Sequence, residues 1–468
     1  MLPAATLLTT AFAVHAADLR QGGAGAADAV SFKPFGEFLT GNFAYDGTWF
    51  GLGNIPPSEF DDFKAWSEEW LEIGARLEAD AGDFTLYGGL SAGGTFTLGT
   101  DSFDETDQHD VLPETAYAGV RTNNSDDAWN IALSAGQQDF GAGTGMLLWQ
   151  GAGNGFERGG LNIVQRTAWS MAAVAEVTGH KHKLQAFYLN PNELESNDTK
   201  TDLLGALWRY DHSAGSNLGA YYLNVLNSEM IYPLPDLPLF IPDGRDGLQA
   251  IQGFARLDGN DVGLANAWAR AEFAYEWNGG LAGTGGMEAW AGYGELGYRF
   301  VGLPWAPALS YAFASFSGDD PSTSVYERFD PLFYGNGLDN WWFGANGSYA
   351  FLNSNLNFHR FTLQMVAGEQ DFLKFQYVIT NANELNSPIQ FGQAARPDLE
   401  SGGLIVGAPA HHLADEIYGE WTHLFTPSIS ATLWGSIAIP GDGIEEVDAS
   451  VPAENWLGAG LVLSLRTP

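Results

Sequence analysis

Glutamate and arginine recur in this chain at even spacings within short segments, a pattern that sets fixed charges of both signs along one side of an extended backbone. Glu72, Arg76 and Glu78 share such a side, as do Arg270, Glu272 and Glu276; Arg121, Arg209, Glu295, Arg299, Arg360, Glu416 and Glu420 hold the same parity in their own segments. Charges arranged in this way perform no covalent chemistry. Opposed rows of them polarise water and orient hydrated solutes, as the walls of selective pores do. The plainer reading is that Arg and Glu on neighbouring strands neutralise one another. No nucleophile is singled out beside a base, so no catalytic residue is assigned. His180 and His182 flank Lys181, and His411 adjoins His412, but neither pair completes a ligand set; no metal and no cofactor are expected. The acidic stretches Asp101–Asp110 and Ile439–Asp448 match no EF-hand spacing and read as solvated loop charge.

The elements that must position these charges are strands. In Ala265–Trp277, Ala267, Ala269, Ala271, Phe273, Tyr275 and Trp277 fall on one parity, and Arg270, Glu272 and Glu276 on the other. Leu71, Ile73, Ala75, Leu77 and Ala79 likewise alternate with Glu72, Arg76 and Glu78. Period two over about ten residues, broken by Gly, Asn, Asp and Pro, is the signature of strands with one apolar and one polar face. The pattern predicts about 18 strands, near residues 30–46, 64–80, 84–97, 112–122, 128–138, 160–178, 183–190, 202–211, 216–226, 248–257, 265–278, 286–300, 306–316, 356–367, 371–380, 412–424, 428–439 and 455–466. Their connections alternate between short, as at Ala81–Asp83, and long, as at Asp139–Gly159 and Ser317–Asn355.

An even number of such strands with one trimmed and one elaborated rim predicts an all-β fold. It is a transmembrane antiparallel up-and-down β-barrel with long extracellular loops and short periplasmic turns, apolar outside and wet inside. Trp277, Trp305, Trp421 and Trp456, near strand ends, suit interfacial girdles. The loop Ser317–Asn355 is too apolar for an exposed loop. Folded inward it would constrict the bore, with Asp330, Asp339, Trp341 and Trp342 as the constriction residues; alternatively Trp341–Phe351 extends a strand above the membrane. Residues 1–16, an apolar run ending in small residues, read as a secretory signal, leaving 17–468 as a single barrel domain.

Composition narrows the function. The 468 residues are 45% hydrophobic, 13% aromatic and 16% charged, with no Cys, and 20 Lys+Arg stand against 57 Asp+Glu for a net charge of -37. That balance repels nucleic acid, and no disulfide framework exists. The expected partners are outer-membrane lipid and lipopolysaccharide, the barrel-assembly machinery and a small polar solute. The expected function is passive diffusion of small hydrophilic solutes, saccharides or cations, through a porin-like channel.

GQQDFGAGTG at Gly136–Gly145, GYRF at Gly297–Phe300, SYAFASFSGDD at Ser310–Asp320, FDPLF at Phe329–Phe333, HLADEIYGEW at His412–Trp421 and IPGD at Ile439–Asp442 follow in order along the chain. Together they resemble the alginate-export family of outer-membrane barrels, with Gln137 standing where that family commonly has Arg. The resemblance implies an 18-stranded barrel and, as the alternative function, a polysaccharide export conduit that works with periplasmic secretion partners.

Overall fold

The computed structural model describes residues 30–49, 63–125, 128–163, 166–234, 236–237, 240–335, 344–389, 396–397, 404–447 and 453–467. The secretory segment expected at 1–16 and the constriction residues Asp339, Trp341 and Trp342 lie outside them.

The 18-stranded sheet closes on itself. In chain order its strands are β1 (Val30–Asp46), β2 (Lys64–Asp80), β3 (Phe84–Leu98), β4 (His109–Thr122), β5 (Asn130–Gln138) and β6 (Trp169–Gly179), then β7 (His182–Asn190), β8 (Asp202–Asp211), β9 (Asn217–Asn227), β10 (Gln249–Asp258), β11 (Ala267–Asn278) and β12 (Met287–Arg299), and finally β13 (Ala308–Phe316), β14 (Leu356–Ala367), β15 (Asp371–Ala382), β16 (His412–Thr426), β17 (Ile429–Pro440) and β18 (Trp456–Arg466). Each pairs antiparallel with the next. The last returns to the first, with Tyr45 opposite Gly458 and Glu37 opposite Arg466. Closure leaves no row of unpaired backbone groups facing lipid, where each would be costly. No helix among the described residues is long and apolar enough to cross a membrane; the crossing is made by strands.

Alternation decides which side chains meet lipid. On β11, Ala271 and Phe273 face out and are exposed, while Glu272, Ala274 and Glu276 face in and are buried. Phe273 stands between Gly253 on β10 and Gly292 on β12, where the absence of side chains leaves room for its ring. Trp421 and Trp305 are exposed as a girdle requires. Trp456 departs from that expectation. Its parity is that of Gly458 and Gly460, so it points inward, fully buried, with its ring 5.7 Å from Trp49 and 6.1 Å from Tyr45. The sixth strand also starts later than the predicted 160, at Trp169. The residues before it are drawn off the wall, where the Thr167 and Ala168 N–H groups donate to the Glu114 carboxylate at 2.9 and 3.2 Å.

The interior is divided. Toward the long-loop rim, the inward residues Leu189, Leu203, Leu223, Val225, Phe316 and Phe358 are buried beneath loops, so the core of this protein lies inside the extracellular half of its bore. Toward the short-turn rim, inward Lys33, Arg76 and Arg256 remain exposed, which makes that half a vestibule open to water. The wet lumen expected from alternation is therefore confined to the periplasmic half.

Placing a charge on the outer face should be far costlier than removing one from the vestibule. Phe273→Arg is expected to lower stability by about 2–4 kcal/mol near the membrane midplane, whereas Glu78→Gln should cost about 0–1 kcal/mol. Urea-driven unfolding from vesicles checks both.

Candidate functional site: a crossbar of loops in the lumen

Five inward glutamates hold the backbone of two long loops. The loop between β5 and β6 meets β11 where the Thr144 N–H donates to Glu272 at 2.6 Å. It meets β2 where the Asn162 and Ile163 N–H groups donate to Glu68 at 2.8 and 3.0 Å, and it ends on Glu114 of β4. In a closed ring of 18 strands, β2 and β11 stand nine apart, so this loop crosses the bore from one wall to the other. The loop between β13 and β14 is held in the same way. The Asp330 N–H donates to Glu276 on β11 at 2.9 Å, and the Asn346 and Gly347 N–H groups donate to Glu416 on β16 at 3.0 and 2.9 Å. Successive N–H groups aimed at one anion form a small nest, in which charge-assisted bonds offset the burial of the carboxylate.

Backbone must come very close to the wall for this to work. At Gly344, with φ +109°, an added Cβ would lie 2.1 Å from a Glu416 oxygen; at Gly143, with φ +61°, it would lie 3.1 Å from both Glu272 oxygens. Only glycine takes that backbone shape without strain and leaves that space.

The two loops also bind each other. The Trp149 N–H donates to the Phe333 carbonyl at 2.9 Å, the Phe333 N–H to the Leu147 carbonyl at 3.0 Å, and the Gly335 N–H to the Gly145 carbonyl at 2.9 Å. A third loop, between β9 and β10, joins at Asp330. The Arg245 Nε and Nη2 atoms reach its two oxygens at 2.7 and 2.8 Å, the Tyr232 hydroxyl donates at 2.6 Å, and the Arg245 guanidinium lies over the Phe333 ring. Burial opposes ionisation of Asp330. The Arg245 charge and the bonds from Arg245, Tyr232 and the Leu332 N–H outweigh it and hold the carboxyl below its usual range. Arg158 staples the crossbar to the β7–β8 loop by donating to the carbonyls of Gly153, Asn192 and Glu193. Asp330, one of the residues expected to constrict the bore, thus ties the β9–β10 loop to the β13–β14 loop and both to β11. The described residues from Asn346 onward take a short helical turn at Gly347–Ala350 rather than a strand.

The thirteen charges read from the sequence as lumen-facing, from Glu72 to Glu420, lie on strands with inward parity, but in different surroundings. Glu272, Glu276 and Glu416 are buried under the loops they hold. Glu72 is buried opposite Glu37, and Arg360 is buried on β14. Toward the short-turn rim, half-exposed Glu78 pairs with Arg121 at 2.9 Å and Arg209 with Asp211 at 2.9 Å, while Glu420 meets buried Lys374 at 3.2 Å and Arg270 approaches buried Glu295 at 3.9 Å. Arg299 donates to the Ala306 carbonyl, and Arg76 stacks on Phe35. Besides Glu37 and Glu72, two cross-strand pairs oppose positive charges: Lys33 faces Arg76 on β1 and β2, and Arg256 faces Arg270 on β10 and β11, nine strands away.

Glu68, Glu114, Arg158, Arg245 and Arg166, whose buried guanidinium approaches Glu114 at 3.6 Å, do not stand out in the sequence. Glu68 was within reach, since it shares parity with Glu72. Glu114 was hidden because the β3–β4 register shifts between Ser91 and Ala92, which breaks the alternation around Pro113. Arg158, Arg166 and Arg245 lie in loops, which have no period to betray them.

The family model described as Alginate export matches residues 75–371. No curated protein matches the chain. Among solved structures it is similar to Acinetobacter baumannii OccAB1 (10% identity, TM-score 0.53, covering 93% of this chain and 97% of that one). It is similar also to the Pseudomonas aeruginosa outer membrane protein opdK (11%, TM-score 0.52, 93% and 99%) and to Pseudomonas aeruginosa OccK3 (13%, TM-score 0.51, 93% and 95%). At these identities the likeness is one of fold: a closed outer-membrane barrel.

Removing an anchor should loosen the loop it holds and leave the wall intact. Glu272→Ala, which strands the Thr144 N–H, is expected to cost about 1–3 kcal/mol and to raise hydrogen exchange over residues 143–149. Asp330→Asn, which leaves Arg245 buried without its partner, should cost about 3–5 kcal/mol. Because the Asp330 carboxyl is held below its ordinary value of about 3.9, its contribution is fully present above roughly pH 4 and is lost as pH falls through the lowered value. Exchange protection of the Leu332 N–H, which donates to Asp330, should therefore, once corrected for intrinsic rate, persist above about pH 4 and fall as pH drops below it.

Proposed function

Because the chain belongs to the alginate-export family of outer-membrane β-barrels, we propose that it is a passive, cofactor-free channel that admits small hydrophilic solutes past a crossbar of inward-folded loops. The reading involves no catalytic step. What carries it is the contrast between the two halves of the bore: a charged vestibule with exposed inward residues on the periplasmic side, and inward-folded loops occupying the half above it.

The net charge of -37 suggests cations as the solute. The positions of the charges favour anions instead. Arg121 and Arg209 are offset by Glu78 and Asp211, but the positive pairs Lys33–Arg76 and Arg256–Arg270, on inward faces near the periplasmic rim, raise the local potential that a solute meets there. The same feature supports the second reading, in which a polyanionic saccharide enters from the periplasm with the help of secretion partners. On either reading the barrel-assembly machinery inserts the chain, and residues 1–16 direct it out of the cytoplasm.

Planar-bilayer recording separates the alternatives. A free channel conducts alone, and its reversal potential in a KCl gradient should have the sign of chloride preference. Arg256→Glu with Arg270→Glu should move that potential toward potassium. Cation preference in the unaltered protein would overturn the assignment of anions, and absence of any conductance would replace the free channel by the partner-dependent conduit. Uronate oligomers that block current only from the periplasmic side would favour the polysaccharide cargo.

A further inference from the structure

Inward residues on neighbouring strands line up in rows across the wall of the bore. From β13 to β17 the residues opposite one another in one such row are Ser310, Thr362, Gln376, Tyr418 and Ser436, all of them neutral hydrogen-bonding groups. Glycine flanks the row at each end, Gly297 on β12 and Gly458 on β18. Because strands tilt in a barrel, a row perpendicular to them climbs the wall. This one starts two residues from the periplasmic end of β12 and finishes two residues from the extracellular end of β18. Six strand spacings of about 4.8 Å carry it about 29 Å along the wall. On the facing wall, β6 to β9 carry Ala172, Leu189, Leu203 and Val225 in one row, apolar and buried.

The charges beside the neutral row cancel. Glu295, Arg360 and Glu416 lie on its extracellular side and Arg299, Lys374 and Glu420 on its periplasmic side, three carboxylates against three cations. Two buried amide oxygens along the row lack a donor. Gln376 gives an Nε2 hydrogen to the Thr362 hydroxyl at 3.2 Å, but its Oε1 accepts no hydrogen bond from the described residues. At the upper end, the Asn346 Nδ2 donates to the Trp456 carbonyl at 2.6 Å, while its Oδ1, likewise without a donor among the described residues, sits over Gly458, where any Cβ would collide with it. An unpaired buried acceptor is costly and calls for a partner that donates. At the lower end the half-buried ring of Trp268, inward on β11, lies over Gly297 and fills the place a Cβ would take.

We propose that this row is a binding track for an uncharged saccharide, leading from the vestibule to the underside of the β13–β14 loop. A sugar hydroxyl donates and accepts at once, which suits a row that mixes hydroxyls with donor-less amide oxygens. Those oxygens repel an anion, and the cancelled flanking charges give an ion no potential to follow. The Trp268 ring offers, at the entrance, an apolar face for the C–H side of a sugar, so that a few fixed polar groups and an aromatic surface act together. Ser310 is half-buried, and Thr362, Gln376 and Ser436 keep 8, 6 and 9% of their surface, so the groups are held in place beside a narrow path. The proposal rests on the reading of the barrel as a channel for hydrophilic solutes and names what that channel selects. The positive pairs of the vestibule bias the small ions that carry current; the row above them selects the solute.

Maltotriose serves as the uncharged probe and trigalacturonate as a charged probe of the same number of rings. Calorimetric titration of the detergent-solubilised barrel reads binding without requiring conduction, and planar bilayers read the KCl current. Maltotriose should bind and should interrupt the current saturably. Gln376→Leu and Thr362→Val should each weaken its binding at least fivefold. Thr362→Ser, which keeps the hydroxyl, should stay within twofold of the unaltered protein, as should Gln185→Leu on the inward face of β7. Resistance to urea shows beforehand that each variant is a folded barrel. Absence of maltotriose binding, or binding unchanged in both Gln376→Leu and Thr362→Val, would overturn the track. Tighter binding of trigalacturonate than of maltotriose would overturn the uncharged class. A barrel that binds maltotriose through these residues yet carries no current would keep the track and remove the free channel, whereas one that conducts without binding maltotriose would keep the channel and remove the track.

Discussion

A backbone N–H carried out of water must find an acceptor, and inside a closed barrel the wall's own carbonyls are already committed to the strand ladder. Loops can therefore enter the bore only where inward side chains offer oxygen. In this protein the offer comes from Glu68, Glu114, Glu272, Glu276 and Glu416, each accepting loop N–H groups. The loops in turn make burial of those carboxylates tolerable, because an anion removed from water is stable only when it is well bonded. Neither partner would hold its place without the other.

That mutual dependence organises the rest of the interior. Where the anchors lie, loops pack against apolar inward residues such as Leu203, Leu223 and Phe358, and the extracellular half acquires a core. Where they end, water returns, and residues that could not be buried unpaired become admissible. The positively charged pairs Lys33 with Arg76 and Arg256 with Arg270 lie in that half. Directly opposed like charges destabilise a strand pair, and solvent in the vestibule screens them. The crossbar and the vestibule are thus two outcomes of one rule about where backbone and charge find partners.

Much of this was legible from alternation. The strand positions, the inward set from Glu72 to Glu420 and the division into long and short connections all follow from period two, because strand geometry sends successive side chains to opposite faces wherever one face meets lipid. The reading failed where period two is interrupted. The β3–β4 register shift concealed Glu114, and the segment before Trp169 keeps apolar residues although it has left the wall. Trp456 sits at a strand end as girdle aromatics do, but it shares the parity of Gly458 and Gly460, which turns it inward.

The sequence by itself determined a closed barrel of alternating strands, its outward and inward faces and its two unequal rims, since each of these is a property of local spacing. The tertiary structure alone decided that Glu272 and Glu276 hold loops while Arg270, on the same face of the same strand, stands half-buried beside Glu295. What lies opposite an inward side chain depends on how a distant loop returns across the bore, and no local pattern encodes that return.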